Sequence, residues 1–150
     1  MFPSHDQRFE VAVDQAINAS EKTIRAAAIT VFTDVIKKTP VGNTSLWKTS
    51  YPPKGYVGGQ LRGNWQTTLD VPASNAISRS QKGTSGGATQ ETISGSSGYS
   101  LDQSIFLTNN LPYAERINDG WSRQAPAKFV ETSVLRFNGI VEAIARKNKT

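Results

Sequence analysis

Glu115 and Asp119 are the carboxylates best spaced for acid–base work or for a metal, because residues four apart share a helix face. Arg116 stands between them and no histidine joins them. The single histidine, His5, sits beside Asp6, so a serine nucleophile would have to find its base there. Cysteine is absent, which removes disulfides, zinc thiolate sites and thiol nucleophiles together. No H-E-x-x-H, G-x-S-x-G or G-x-x-x-x-G-K-[ST] pattern occurs. The residues point away from an enzyme, and no cofactor or metal is expected. The remaining chemistry is charge. Lys and Arg number 17 against 12 Asp and Glu, a net charge of +5. The cations are scattered, with aromatics beside some of them at Trp47-Lys48, Lys54-Gly55-Tyr56 and Trp121-Ser122-Arg123. Such interleaving can stack bases, so a small basic nucleic-acid-binding module is one reading.

The elements that would position these residues follow from periodicity. A chain of 150 residues suits a single domain. The first residues lack the basic and apolar regions of a secretory signal, and the longest apolar run, 26–32, is too short to cross a membrane. A long helix is expected over 6–38. Its apolar stripe is Val13, Ile17, Ile24, Ala28, Val31 and Val35, with Asp14, Glu21, Lys22 and Arg25 opposite. At 1.5 Å per residue it is ~50 Å long, more than a small domain can cover, so part of the stripe is expected to meet another chain. Pro40 and Gly42 stop it. An irregular aromatic loop, 43–59, follows.

A strand is expected over 65–71, with Trp65, Thr67, Leu69 and Val71 on one face and Pro72 at its end. Residues 73–100 are rich in Ser, Gly and Thr. They read as a flexible arm, with two weak strands marked by Ile77 and Ile93 around Gly86-Gly87. Residues 104–121 read as a strand and a rigid corner. Asn109, Asn110 and Pro112 supply turn chemistry, Tyr113 and Ala114 begin a short helical turn, and Gly120 closes it before Trp121. A final helix is expected over 127–146, with Val130, Val134, Phe137, Val141 and Ile144 on its stripe. Gly139 would let it approach Ala26-Ala27-Ala28. The predicted class is α+β: two long amphipathic helices on a small antiparallel sheet, with extended loops.

Two motifs in this order resemble a known family. Thr39-Pro40-Val41 followed by Gly59-Gln60-Leu61-Arg62-Gly63-Asn64-Trp65 is similar to the T-P-V…G-x-L-R-x-S-W stretch of phage tail-component proteins. Asn109-Asn110-Leu111-Pro112-Tyr113-Ala114, then Asn118-Asp119-Gly120, is similar to that family's N-x-x-P-Y-A…x-E-x-G corner. These are neck and tail-completion proteins of tailed bacteriophages, like the minor tail protein Z. Residues 43–58 stand as an insertion against the family pattern, and 73–100 match it poorly. The resemblance implies a non-enzymatic virion protein of the head–tail junction, made in the host cytoplasm. It implies a homo-oligomeric ring between a head connector or head-closure protein and a tail terminator or tail tube protein. A basic inner surface would tolerate DNA passing through non-specifically. Within that frame Leu61, Trp65, Tyr113 and Ile117 are expected to fix the corner against the sheet. Arg62 is expected to anchor the loop by hydrogen bonds to carbonyls, and 43–58 and 73–100 to reach neighbouring subunits.

Overall fold

The first helix, α1 (His5–Lys38), is one unbroken rod, and the other elements gather on its C-terminal half. The structure is a computed structural model that describes residues 5–42, 58–121 and 127–148, with only the backbone for 5–7, 9 and 121. Most of the expected loop 43–59, with Trp47, Tyr51 and Tyr56, therefore lies outside the described residues. After α1 come α2 (Gln60–Gly63), β1 (Trp65–Leu69), α3 (Gly87–Ser96), β2 (Ile105–Asn109), α4 (Ala114–Arg116), a wide helical turn over Ile117–Trp121, α5 (Phe129–Leu135) and α6 (Phe137–Lys147). The strands pair antiparallel, from Trp65 opposite Asn109 to Leu69 opposite Ile105. This is the expected α+β class.

The α1 stripe explains the packing. Ala27, Ala28, Val31, Val35 and Ile36 are buried. Val35 and Ile36 join Trp65 of β1, Ala88 of α3 and Phe129 of α5 in one core, with Leu107, Ile117 and Val130 packed against it. α6 runs back along α1. Ser133 lies beside Asp34 at one end, and Asn148 Nδ2 reaches Thr23 Oγ1 at 3.4 Å at the other. The part of α1 before this body stands apart, with residues 10–20 all exposed.

The expected arm over 73–100 is corrected. No hairpin forms around Gly86-Gly87. Residues 87–96 are a helix, and Ala88, Thr92 and Ser96 on its inner side are fully buried. α3 packs on both α1 and β1. Small residues at this four-residue spacing bury little apolar area but let three elements come close. Polar bonds hold the seam: Thr67 and Thr92 hydroxyls lie 2.8 Å apart, and Thr92 Oγ1 donates to Ala88 O. Composition alone had hidden the period.

Two boundaries also move. The strand expected over 65–71 ends at Leu69, because Asp70 turns into the left-handed region with φ +68°, which a short polar side chain tolerates. Asp70 then accepts bonds from Ser104 N and Gln103 Nε2, and Val71 is exposed rather than facing the core. The helix expected over 127–146 is broken at Arg136. The break turns Phe129 and Ser133 inward but leaves Val134 and Leu135 outside, at 53% and 83% exposure. Gly139 does not bring α6 close to α1, since a Cβ there would meet nothing within 4 Å.

Trp65 is the hub of the core, 8% exposed, and its Nε1 donates to Thr39 Oγ1 at 2.7 Å. Trp65→Ala removes that volume and that bond, so denaturant unfolding should show a loss of about 3–5 kcal/mol. Trp65→Phe, which keeps most of the volume, should lose markedly less.

Candidate functional site

Pro40 and Val41, just past the end of α1, line one depression with Arg62 of α2. The α1 end needs partners, because its last carbonyls have none within the helix. Arg62 supplies them. Its Nε and Nη2 donate to Thr39 O at 3.0 and 2.7 Å, and Nη2 also reaches Lys37 O at 3.0 Å. Its Nη1 donates to Lys82 O and Gly83 O at 2.9 and 3.0 Å. One guanidinium thus ties the end of α1, α2 and the 82–83 loop together, in the planar fork geometry that lysine lacks. Partial burial pulls its pKa below the ordinary arginine value. The expectation that Arg62 anchors the loop through carbonyls is met.

Around it lies a wide depression of about 510 Å³ lined by Lys37, Lys38, Thr39, Pro40, Val41, Arg62 and Lys82. Lys37 and Lys82 are exposed there. Lys38 is engaged, 2.8 Å from Asp34 Oδ2.

Sequence reasoning missed a second group of polar anchors. Asn64, 1% exposed, accepts from Ile77 N at 2.8 Å and donates to Gln60 O at 2.8 Å. Arg79 donates to Gly63 O and Trp65 O, both at 2.6 Å, and pairs with Glu91 of α3. Gln81, 3% exposed, turns its Oε1 to Ala88 N and Thr89 N, which caps the start of α3 from outside the helix. A cap normally sits beside the helix it caps, so spacing could not reveal one at Gln81. Gly63 lets the backbones approach here: a Cβ at Gly63 would lie 2.3 Å from Arg79 O.

The corner is joined to this frame. Asn109 Nδ2 donates to Leu61 O at 2.8 Å, and its Oδ1 accepts from Leu111 N at 3.2 Å, an Asx turn that sets the bend. Asn110 Nδ2 donates to Ala73 O at 2.8 Å. Leu61 is buried and Ile117 packs on the core, as expected. Tyr113 is 39% exposed. Pro112 is exposed and Ala114 half-buried. Gly120 has φ +99°, which favours glycine, and its missing Cβ leaves room for Ala127. Only the backbone of Trp121 is described.

Glu115 and Asp119 both lie within range of the Lys128 charge. Asp119 binds Lys128, and Glu131 takes Asn118 Nδ2 at 2.9 and 2.8 Å. Those bonds hold the corner on α5. Among the described residues no group of three or more His, Cys, Asp or Glu could hold a metal, and no helix is long and apolar enough to cross a membrane. Comparison with protein-family models, curated proteins and solved structures finds no match.

At the α1–α5 contact, burial opposes ionisation of Asp34. Hydrogen bonds from Lys38 and Ser133 and the charges of Lys38 and Arg136 outweigh it, and its pKa falls below the ordinary 3.8. A lowered native value stabilises the fold above 3.8, and that contribution is lost as pH falls through the native value. Asp34→Asn should therefore lower stability at neutral pH and flatten the acid limb of a stability–pH profile. An unchanged acid limb would show that the group is not linked. Arg62→Lys keeps the charge but loses the fork. It should cost about 2–3 kcal/mol in urea unfolding, with a change near zero meaning that the carbonyls find other donors.

Proposed function

We propose that this chain is a structural subunit of a bacteriophage neck, a ring protein that joins the head connector to the tail and completes the tail. The reading rests on the resemblance of its two motifs to neck and tail-completion proteins. One observation carries it furthest: the motifs, far apart in sequence, form one structural unit. Leu61 of the first accepts a hydrogen bond from Asn109 of the second, and Trp65 stands opposite Asn109 in the sheet. Residues that build one framework together are what a shared structural motif would conserve, which supports the reading. The surfaces suit a ring as well. A subunit that closes by rotation needs two different faces, and α1 extends past its body with residues 10–20 exposed. In this reading the subunit belongs to the virion at the head–tail junction. Its neighbours are copies of itself, a connector or head-closure ring, and a tail terminator or tube.

Electron microscopy of assembled particles tests it. Density for this chain in a closed ring between portal and tail is the expected result, and absence from the particle overturns it.

The cations around the α1 end favour one secondary reading, non-specific contact with DNA. Lys37 and Lys82 are exposed beside Arg62 and Lys38, and phosphate charge alone suffices for such contact. Binding to duplex DNA should then be weak and sequence-independent, fall steeply with added salt, and drop further in Lys37→Ala/Lys82→Ala. Salt-insensitive binding, or none at low salt, removes this reading.

A further inference from the structure

We propose that the outer edge of β2 pairs with the same edge of a second copy of this chain. The two strands run antiparallel about a two-fold axis at Leu107 and make one four-stranded sheet. The inference goes beyond the ring reading and does not rest on it.

The first observation is the direction in which the β2 main chain points. Asp70 N donates to Ser104 O at 2.8 Å, and these two residues stand opposite each other when the β1–β2 register is carried one step past Leu69 and Ile105. Bonded and unbonded pairs alternate along an antiparallel ladder. Thr68–Phe106 and Gln66–Thr108 are therefore the bonded pairs, and the N–H and C=O groups of Ile105, Leu107 and Asn109 point away from β1. The same alternation shows on β1, where Trp65 O turns outward to accept from Arg79. Among the described residues no main-chain hydrogen bond reaches the outer groups of Ile105, Leu107 or Asn109.

The second observation is that the other edge of the sheet is closed. On β1, Arg79 takes Trp65 O and Val71 N takes Leu69 O. Gly95 of α3 lies against Thr67 O, where a Cβ would stand 3.1 Å away. No helix packs along β2 as α3 packs along β1.

The third observation is composition. Exposed edges are normally blunted by Lys, by Pro or by a bulge. Ile105-Phe106-Leu107-Thr108-Asn109 carries no charge, proline or glycine, and its register with β1 runs without a bulge. A short, uncharged, β-prone segment of this kind is the kind that pairs with copies of itself.

These features select the occupant. Pairing about Leu107 sets Leu107 against Leu107 and Ile105 against Asn109 in both directions, so all three outward residues find main-chain partners. On the opposite face it sets Phe106 beside Thr108, an aromatic with a β-branched residue, a favourable cross-strand pair. No charge on the strand opposes its copy. Each copy offers one open edge, so the sheet closes at two copies instead of growing into a fibre.

Amide hydrogen exchange of the full chain, read by NMR over a dilution series with sedimentation to count copies, tests the proposal. The expected result is a dimer at high concentration that dissociates on dilution. The Ile105, Leu107 and Asn109 amides should be protected about tenfold or more in the dimer relative to the dilute monomer. The Phe106 and Thr108 amides, already bonded to β1, should change little. Thr108→Lys places a charge on the edge strand beside Phe106 of the other copy and should weaken the dimer about tenfold or more. A monomer at every concentration overturns the proposal. So does a dimer in which the Ile105 and Leu107 amides exchange as fast as in the monomer, because its contact then lies elsewhere.

Discussion

The fold depends on the way Arg62 finishes α1. A long helix ends with carbonyls that nothing inside it can satisfy, and here they face the loop that starts the sheet. Arg62 binds those of Lys37 and Thr39 and, with its remaining nitrogen, those of Lys82 and Gly83. The same contact places Thr39, whose hydroxyl donates to Val35 O and accepts from the Trp65 indole. Helix end, strand start and distal loop are thus fixed relative to one another, and the core forms where they meet.

Polar side chains bonded to backbone do much of the work that apolar burial does elsewhere. Asn64, Arg79, Gln81, Asn109 and Asn110 each bind main-chain groups of another segment. A buried polar group is costly unless it is paired, and most of these are paired more than once. This is how a segment made largely of Ser, Gly and Thr takes a defined course along β1 and supports α3. Its order comes from specific donors and acceptors rather than from area.

Much of this was legible in the sequence. The α1 stripe, the strand from Trp65, the strand and corner of 104–121 and the α+β class all follow from periodicity and turn chemistry. Arg62 was expected to bond carbonyls, but its position did not show that these would be at the end of α1 and at 82–83. The helix over 87–96 was not legible, because its inner face is Ala88, Thr92 and Ser96, residues that carry little hydropathy signal. The break at Arg136 was hidden by a 4-3-4-3 spacing that runs through it. Gln81 and Asn64 could not be found from spacing, since their partners depend on a loop path that only the packed structure defines.

The bonds between the two ends of the chain bear on how it folds. Asp34 meets Ser133, and Thr23 meets Asn148, more than ninety residues away in each case. α1 therefore cannot finish burying its stripe until α5 and α6 exist to complete the cover. During synthesis the first helix leaves the ribosome well before α5 and α6, so the part of its apolar face that they cover stays open through that interval. Contacts of such sequence separation also slow folding, because the loop must close before they form. The window before α5 and α6 are made is when a chaperone or another nascent copy has most access to that part of α1.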